Sequence, residues 1–120
     1  MGTSNGGNMK LLTKAIEAKL AKTPLYSRDG MDYSPVIVKF FTPDSNWSWY
    51  VLEAEREGDD WRFFGLAEGF EKELGYFMLS ELQAAKGPLG LRIERDRYFD
   101  GMQVKKSTNE VLPIKVIVGA

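Results

Sequence analysis

The chain has 120 residues, 43% hydrophobic and 28% charged, the composition of one folded domain with a core of ordinary size. It holds neither cysteine nor histidine, which removes disulfides, thiolate and imidazole metal sites, Cys nucleophiles and every triad or dyad that needs His. Its net charge of −1 offers no basic footprint for nucleic acid.

Any catalysis would rest on carboxylates, Lys, Tyr, Arg or oxygen-bound Mg²⁺, so a non-enzymatic role is expected, with no cofactor and no metal. No apolar run approaches the roughly 18 residues that span a bilayer, and the start lacks a basic-then-apolar signal. With no Cys, this points to the cytoplasm and away from membranes. Charge is segregated: +3 over residues 1–40, −6 over 41–80 and +2 over 81–120. Scattered solvated acids account for the acidic middle.

Residues 1–8 (MGTSNGGN) carry nothing to bury and are expected as a disordered leader or a cloning remnant, with one domain over 9–120. Leu12, Ile16 and Leu20 recur every four residues and predict an amphipathic helix from about Leu11 to Ala21, ended by Thr23-Pro24. Leu25 to Ser34 reads as a loop. Val36 to Phe41, Trp47 to Glu55 and Trp61 to Ala67 read as strands joined by polar turns at Thr42–Asn46 and Glu57–Asp60, an antiparallel meander. Gly75 to Leu79 is a fourth strand. Ser80 to Gln83 fits a capping box for a short helix through Lys86, closed by Gly87 in the left-handed region and stopped by Pro88. Leu91 to Phe99 and Leu112 to Val118 are further strands. The expected fold is α+β: an antiparallel sheet of about four to six strands, an N-terminal helix and a short capped helix near residues 80–86.

Three stretches carry a resemblance: Phe40 to Tyr50 (FFTPDSNWSWY), Gly58 to Leu82 (GDDWRFFGLAEGFEKELGYFMLSEL) and Gly87 to Phe99 (GPLGLRIERDRYF), with Met9 to Ala21 before them. In order and spacing they resemble a family of small bacterial proteins encoded largely on plasmids and integrative elements, grouped as a domain of unknown function. The resemblance covers Met9 to Asp100 and brings no catalytic or binding residues. It implies an accessory role on a mobile element, in establishment or in countering host defence.

The aromatic residues are the first candidate site. Trp47 and Trp49 alternate with Tyr50 and so share one face of their strand. Most such stripes are core, which predicts a sheet covered by two helices on one face and by later chain on the other. Two helices are little cover for two apolar faces, which keeps open the other reading: an uncovered face that stacks bases or a partner peptide. In that reading Trp47 and Trp49 bind, Asp44 and Asn46 form a polar rim, and Arg95 is a charged anchor. The partner is then an unidentified macromolecule, with protein favoured over nucleic acid.

The carboxylates Asp44, Asp59, Asp60, Glu68, Glu71, Glu73, Glu94 and Asp96 support the alternative, a Mg²⁺-dependent enzyme acting on nucleic acid or nucleotide. Turn chemistry alone explains Asp44, Asp59 and Asp60, and a meander puts their turns at opposite ends of the middle strand. Arg95 with Lys105 and Lys106 would make a phosphate-contacting patch, whereas cross-strand ion pairing on an exposed face is the simpler account of Arg92, Arg95 and Arg97 with Glu94 and Asp96 between them.

Overall fold

The Leu12, Ile16, Leu20 stripe becomes helix α1 (Lys14–Ala21) in a computed structural model that describes residues 10–99 and 101–114. Thr13 is its N-cap, accepting from the Ile16 amide at 3.1 Å and satisfying one free donor of the first turn. Leu11 and Leu12 are buried just ahead of the helix, which therefore starts later than its apolar pattern. The expected leader over residues 1–8 lies outside the described residues.

Among the described residues eight strands follow, β1 (Tyr33–Pro35), β2 (Val38–Phe41), β3 (Ser48–Glu57), β4 (Asp60–Glu68), β5 (Lys72–Met78), β6 (Glu94–Arg95), β7 (Met102–Lys105) and β8 (Glu110–Pro113), with helix α2 (Leu79–Ala84) after β5. They form two antiparallel sheets, one ordered β5-β4-β3-β2-β6 and one ordered β1-β7-β8. The meander is the run β2 to β5. The chain passes from the small sheet to the large one within two residues: the Val36 amide donates to Met102 and the Ile37 amide to Val51.

Period-two alternation sorts the large sheet into two buried faces. Val38, Phe40, Val51, Ala54, Trp61 and Phe63 close on Leu20 of α1, Leu79 and Leu82 of α2, and Ile93. Tyr50, Leu52 and Leu66 close on Val36 and Val104 of the small sheet, with Phe64, Phe99 and Met102 around them. The sheet is thus covered by helices on one side, as expected, and on the other by the small sheet, whose β7 and β8 are later chain but whose β1 precedes the meander. A bulge between Val51 and Glu53 shifts the β3–β4 register and brings Ala54 to the helix side.

Several expectations are corrected. Helix α2 does not begin at Ser80 and does not run to a left-handed Gly87. It spans Leu79–Ala84, with Ala85 extended after it, and Gly87 has no positive φ. Glu81, not Gln83, reaches back to the Met78 amide at 2.7 Å. The Ser80 hydroxyl is engaged elsewhere: it donates to Asp60 at 2.6 Å, and Asp60 also accepts from the Ser80 and Trp61 amides. The long strand expected over Leu91–Phe99 shrinks to Glu94–Arg95, because Asp96 accepts from the Tyr98 amide at 2.9 Å and turns the chain. Two strands, β1 and β7, stand where loop or nothing was expected. The last strand begins earlier than expected, at Glu110, and its expected continuation over 115–118 lies outside the described residues. Among the described residues, no helix is long and apolar enough to cross a membrane.

Asp60 makes a pH prediction. The Ser80 hydroxyl, aided by the Trp61 and Ser80 amides, holds its carboxyl below the ordinary carboxylate value. A lowered folded pKa adds stability that is present above the unfolded value near 4 and is lost as pH falls through the folded value. Wild-type melting temperature should therefore drop between about pH 5 and pH 2 by more than that of Asp60→Asn. Thermal melts of both proteins across that range check this, and parallel curves would contradict it.

Candidate functional site

The end of the large sheet at the β2–β3 turn holds most of the residues singled out from the sequence. The turn is a four-residue loop, Pro43 to Asn46, closed by the Thr42 amide donating to the Trp47 carbonyl at 3.0 Å. The Thr42 hydroxyl accepts from the Trp47 amide at 3.1 Å, fixing where Trp47 leaves the turn. Trp47 then stacks on Trp49, ring centroids 6.0 Å apart and planes 23° apart. Its other neighbours are Gly69, where a Cβ would enter the indole ring, and Phe70, whose ring meets it at 5.9 Å and 84°. Trp49 packs on the helix-side core, whereas Phe70 is 96% exposed. The three rings form a stepped shelf running from core to solvent.

Asp44, expected at the rim, has its carboxylate engaged within the chain. Its carboxylate turns toward the loop after α2, accepting from the Leu89 amide at 2.8 Å and the Leu91 amide at 3.3 Å. The other oxygen is buried without a hydrogen-bond partner, pressed against Gly87, where a Cβ would overlap it. Asp44 therefore ties the Gly87–Leu91 loop to the turn and presents Leu89, 79% exposed, and Leu91 at the same end of the sheet.

Asn46 and Trp47 line an open cleft of about 360 Å³ with Lys39, Phe41, Thr42, Ser45, Ser48 and Asp96. Lys39 bridges the cleft's charges: its ammonium is 3.6 Å from Asp96 and lies 5.4 Å over the Tyr50 ring. Burial, with the Glu68 carboxylate beside it, raises the Tyr50 phenol above its ordinary value and keeps it protonated at neutral pH.

Arg95 shares a transverse row with the shelf. The registers Arg95 to Phe40, Phe40 to Trp49, Trp49 to Ala67 and Ala67 to Glu73 place these five residues side by side across the sheet. Arg95 is thus two strands from Trp49, about 10 Å, and its guanidinium donates to the Lys10 carbonyl. Lys105 and Lys106 do not join it. Lys105 lies over the Tyr33 ring and Lys106 donates to the Arg28 carbonyl, both on the small sheet.

The carboxylates do not converge. The Asp44 and Asp59-Asp60 turns lie at opposite ends of β3, and no three potential metal ligands come together among the described residues. Sequence reasoning missed Phe70 and the Leu89–Leu91 loop. The available signal was a large aromatic between Gly69 and Glu71, in a turn with nothing to bury it.

A family model described as protein of unknown function (DUF2958) matches residues 11–107. The match continues past Asp100, where the resemblance seemed to stop, and takes in β7. No curated protein and no solved structure matches the chain.

Proposed function

The chain belongs to the DUF2958 family, and from the chemistry of its exposed apolar end we propose that it is a non-enzymatic protein that captures a protein partner. One observation carries this reading. Phe70 and Leu89 stand largely in water at the end of the sheet where Trp47 stacks on Trp49, and Leu91, half exposed, is tied there with Leu89 by Asp44. The central strands of that sheet are covered on both faces, so these side chains lie outside both cores. An exposed aromatic against half-buried indoles matches the aromatic enrichment of interface centres, where such anchors carry most of the affinity.

Protein is the better partner than nucleic acid because the nearby cations are engaged. Lys39 pairs with Asp96 and Arg95 holds the Lys10 carbonyl. The alternative of a Mg²⁺-dependent enzyme gains no support from the acids: Asp60 directs both oxygens to backbone amides and the Ser80 hydroxyl, and Asp44 gives one oxygen to the Leu89 and Leu91 amides while the other is pressed against Gly87. The setting, an accessory protein of a bacterial mobile element acting in the cytoplasm in establishment or counter-defence, rests on the resemblance of the three stretches quoted above.

Phe70→Ala and Leu89→Ala test the reading. Both side chains are exposed, so folding stability should change by no more than about 0.5 kcal/mol. As cross-linking baits in a bacterial extract, both variants should lose a partner that wild type and a distal control, Asp59→Asn, retain. Equal recovery by all four baits would sink the proposal.

A further inference from the structure

The stepped shelf has a charge character that narrows what it binds. Phe70 stands nearly perpendicular to Trp47, and Trp47 lies near-parallel on Trp49, so the rings offer two walls of a corner. Glu71 follows Phe70 directly. Glu73 occupies the row of Trp49 with only Ala67 between them, on the same face of the sheet. The neighbouring acid Glu68 is paired with Lys72 at 3.4 Å. Among the described residues, no basic side chain pairs with Glu71 or Glu73, and both are exposed. Ala67 keeps the floor between Trp49 and Glu73 low, and Gly75, one row along on β5, leaves open space above itself.

Aromatic faces attract cations through their quadrupole, Trp most strongly, and the attraction grows when the cation is partly desolvated. Carboxylates at the border of such a corner add Coulomb attraction for the same charge and disfavour phosphate. We infer that the Trp47–Trp49–Phe70 corner is a receptor for a cationic side chain, arginine or lysine, carried on an apolar segment of the partner protein. The cation sits in the angle between the exposed Phe70 ring and Trp47 with Glu73 and Glu71 beside it, and the segment's apolar residues cover the rest of the exposed end. Arginine suits the site better than lysine, because its planar guanidinium lies flat on an aromatic ring, here the exposed Phe70, while donating to a carboxylate. This inference rests on the reading of the exposed end as a protein-binding surface.

The test titrates the full chain with two blocked pentapeptides, Gly-Leu-Arg-Leu-Gly and its citrulline isostere, following the indole N–H resonances of Trp47 and Trp49. Citrulline keeps the planar shape and removes the charge. The arginine peptide should shift both indole signals saturably and bind at least about tenfold more tightly than the citrulline peptide. Glu71→Gln with Glu73→Gln should weaken it at least about threefold, and so should 0.5 M salt. Equal affinity for the two peptides would overturn the cation site while leaving an apolar docking surface in place. Unmoved indole signals, or a stronger response to oligothymidylate, would also overturn it. The extract experiment with Phe70→Ala judges the broader reading separately, since it depends on no assumption about charge.

Discussion

Replacing Glu53 by alanine should destabilise the protein by about 3–5 kcal/mol, a large share of a small domain's total. Glu53 is a carboxylate with only 3% exposure, on β3 beside the bulge. One oxygen accepts from the Tyr26 amide at 2.9 Å and the other from the Arg28 amide at 2.8 Å, so it organises the turn between α1 and β1. The Arg28 guanidinium reaches the Ser34 hydroxyl and the Pro35 and Leu52 carbonyls. Burial lowers the pKa of Arg28 and the charge of Glu53 opposes that shift. Alanine would strand two part-buried amides and leave a partly buried cation without its counter-charge. Glu53→Gln keeps an acceptor and the volume, and should cost clearly less. Urea denaturation of the three proteins provides the comparison; equal midpoints would show that the network contributes nothing.

Gly65→Ala should cost about 3 kcal/mol, because overpacking here is against backbone and not against a movable side chain. A Cβ on Gly65 would overlap the Tyr50 carbonyl oxygen, and Gly65 pairs with Val51 at the bulge. The ladder would have to part where the sheet is thickest, between two cores. Gly75 is the control: it pairs directly with Gly65 on the edge strand and has nothing within 4 Å of a built Cβ. Gly75→Ala should therefore change stability by no more than about 0.5 kcal/mol. If the two alanine variants unfold at the same urea concentration, the close approach at the bulge is not a constraint.

Much of the fold could be read before any coordinates because it follows local rules. Alternation in Ser48–Glu57 and Asp60–Glu68 sorts Trp49 and Val51 from Tyr50 and Leu52, and Phe63 from Phe64, to the faces they occupy. The turn residues at Pro43–Asn46 and Gly58-Asp59 punctuate the meander. Local rules fail where a distant residue competes for the same group. Ser80 looked like an N-cap, yet Asp60, twenty residues earlier in the chain, takes its hydroxyl. Asp44 looked like a turn acid whose side chain was free to form a rim, yet its carboxylate is held by Leu89 and Leu91. Strand β1 was hidden in a segment rich in Asp, Gly and Ser because three residues show too little alternation to register.

By itself, the sequence determined which chemistries are impossible, where the meander runs and which face each aromatic takes, because these depend on residue type and on neighbours within a few positions. Only the tertiary structure decided that the three-residue β1 and the four-residue β7 and β8 form a second sheet that covers the face bearing Tyr50 and Leu52. It also decided that Trp49 is anchored in core while Phe70 is left in water against Trp47, and that Arg95 and Glu73 end one row with Trp49 at its centre. The physical reason is that burial and adjacency are set by pairing registers and layer contacts between distant segments. A register shift of one residue reverses every side chain of a strand, and no composition or spacing within the strand specifies which partner it meets.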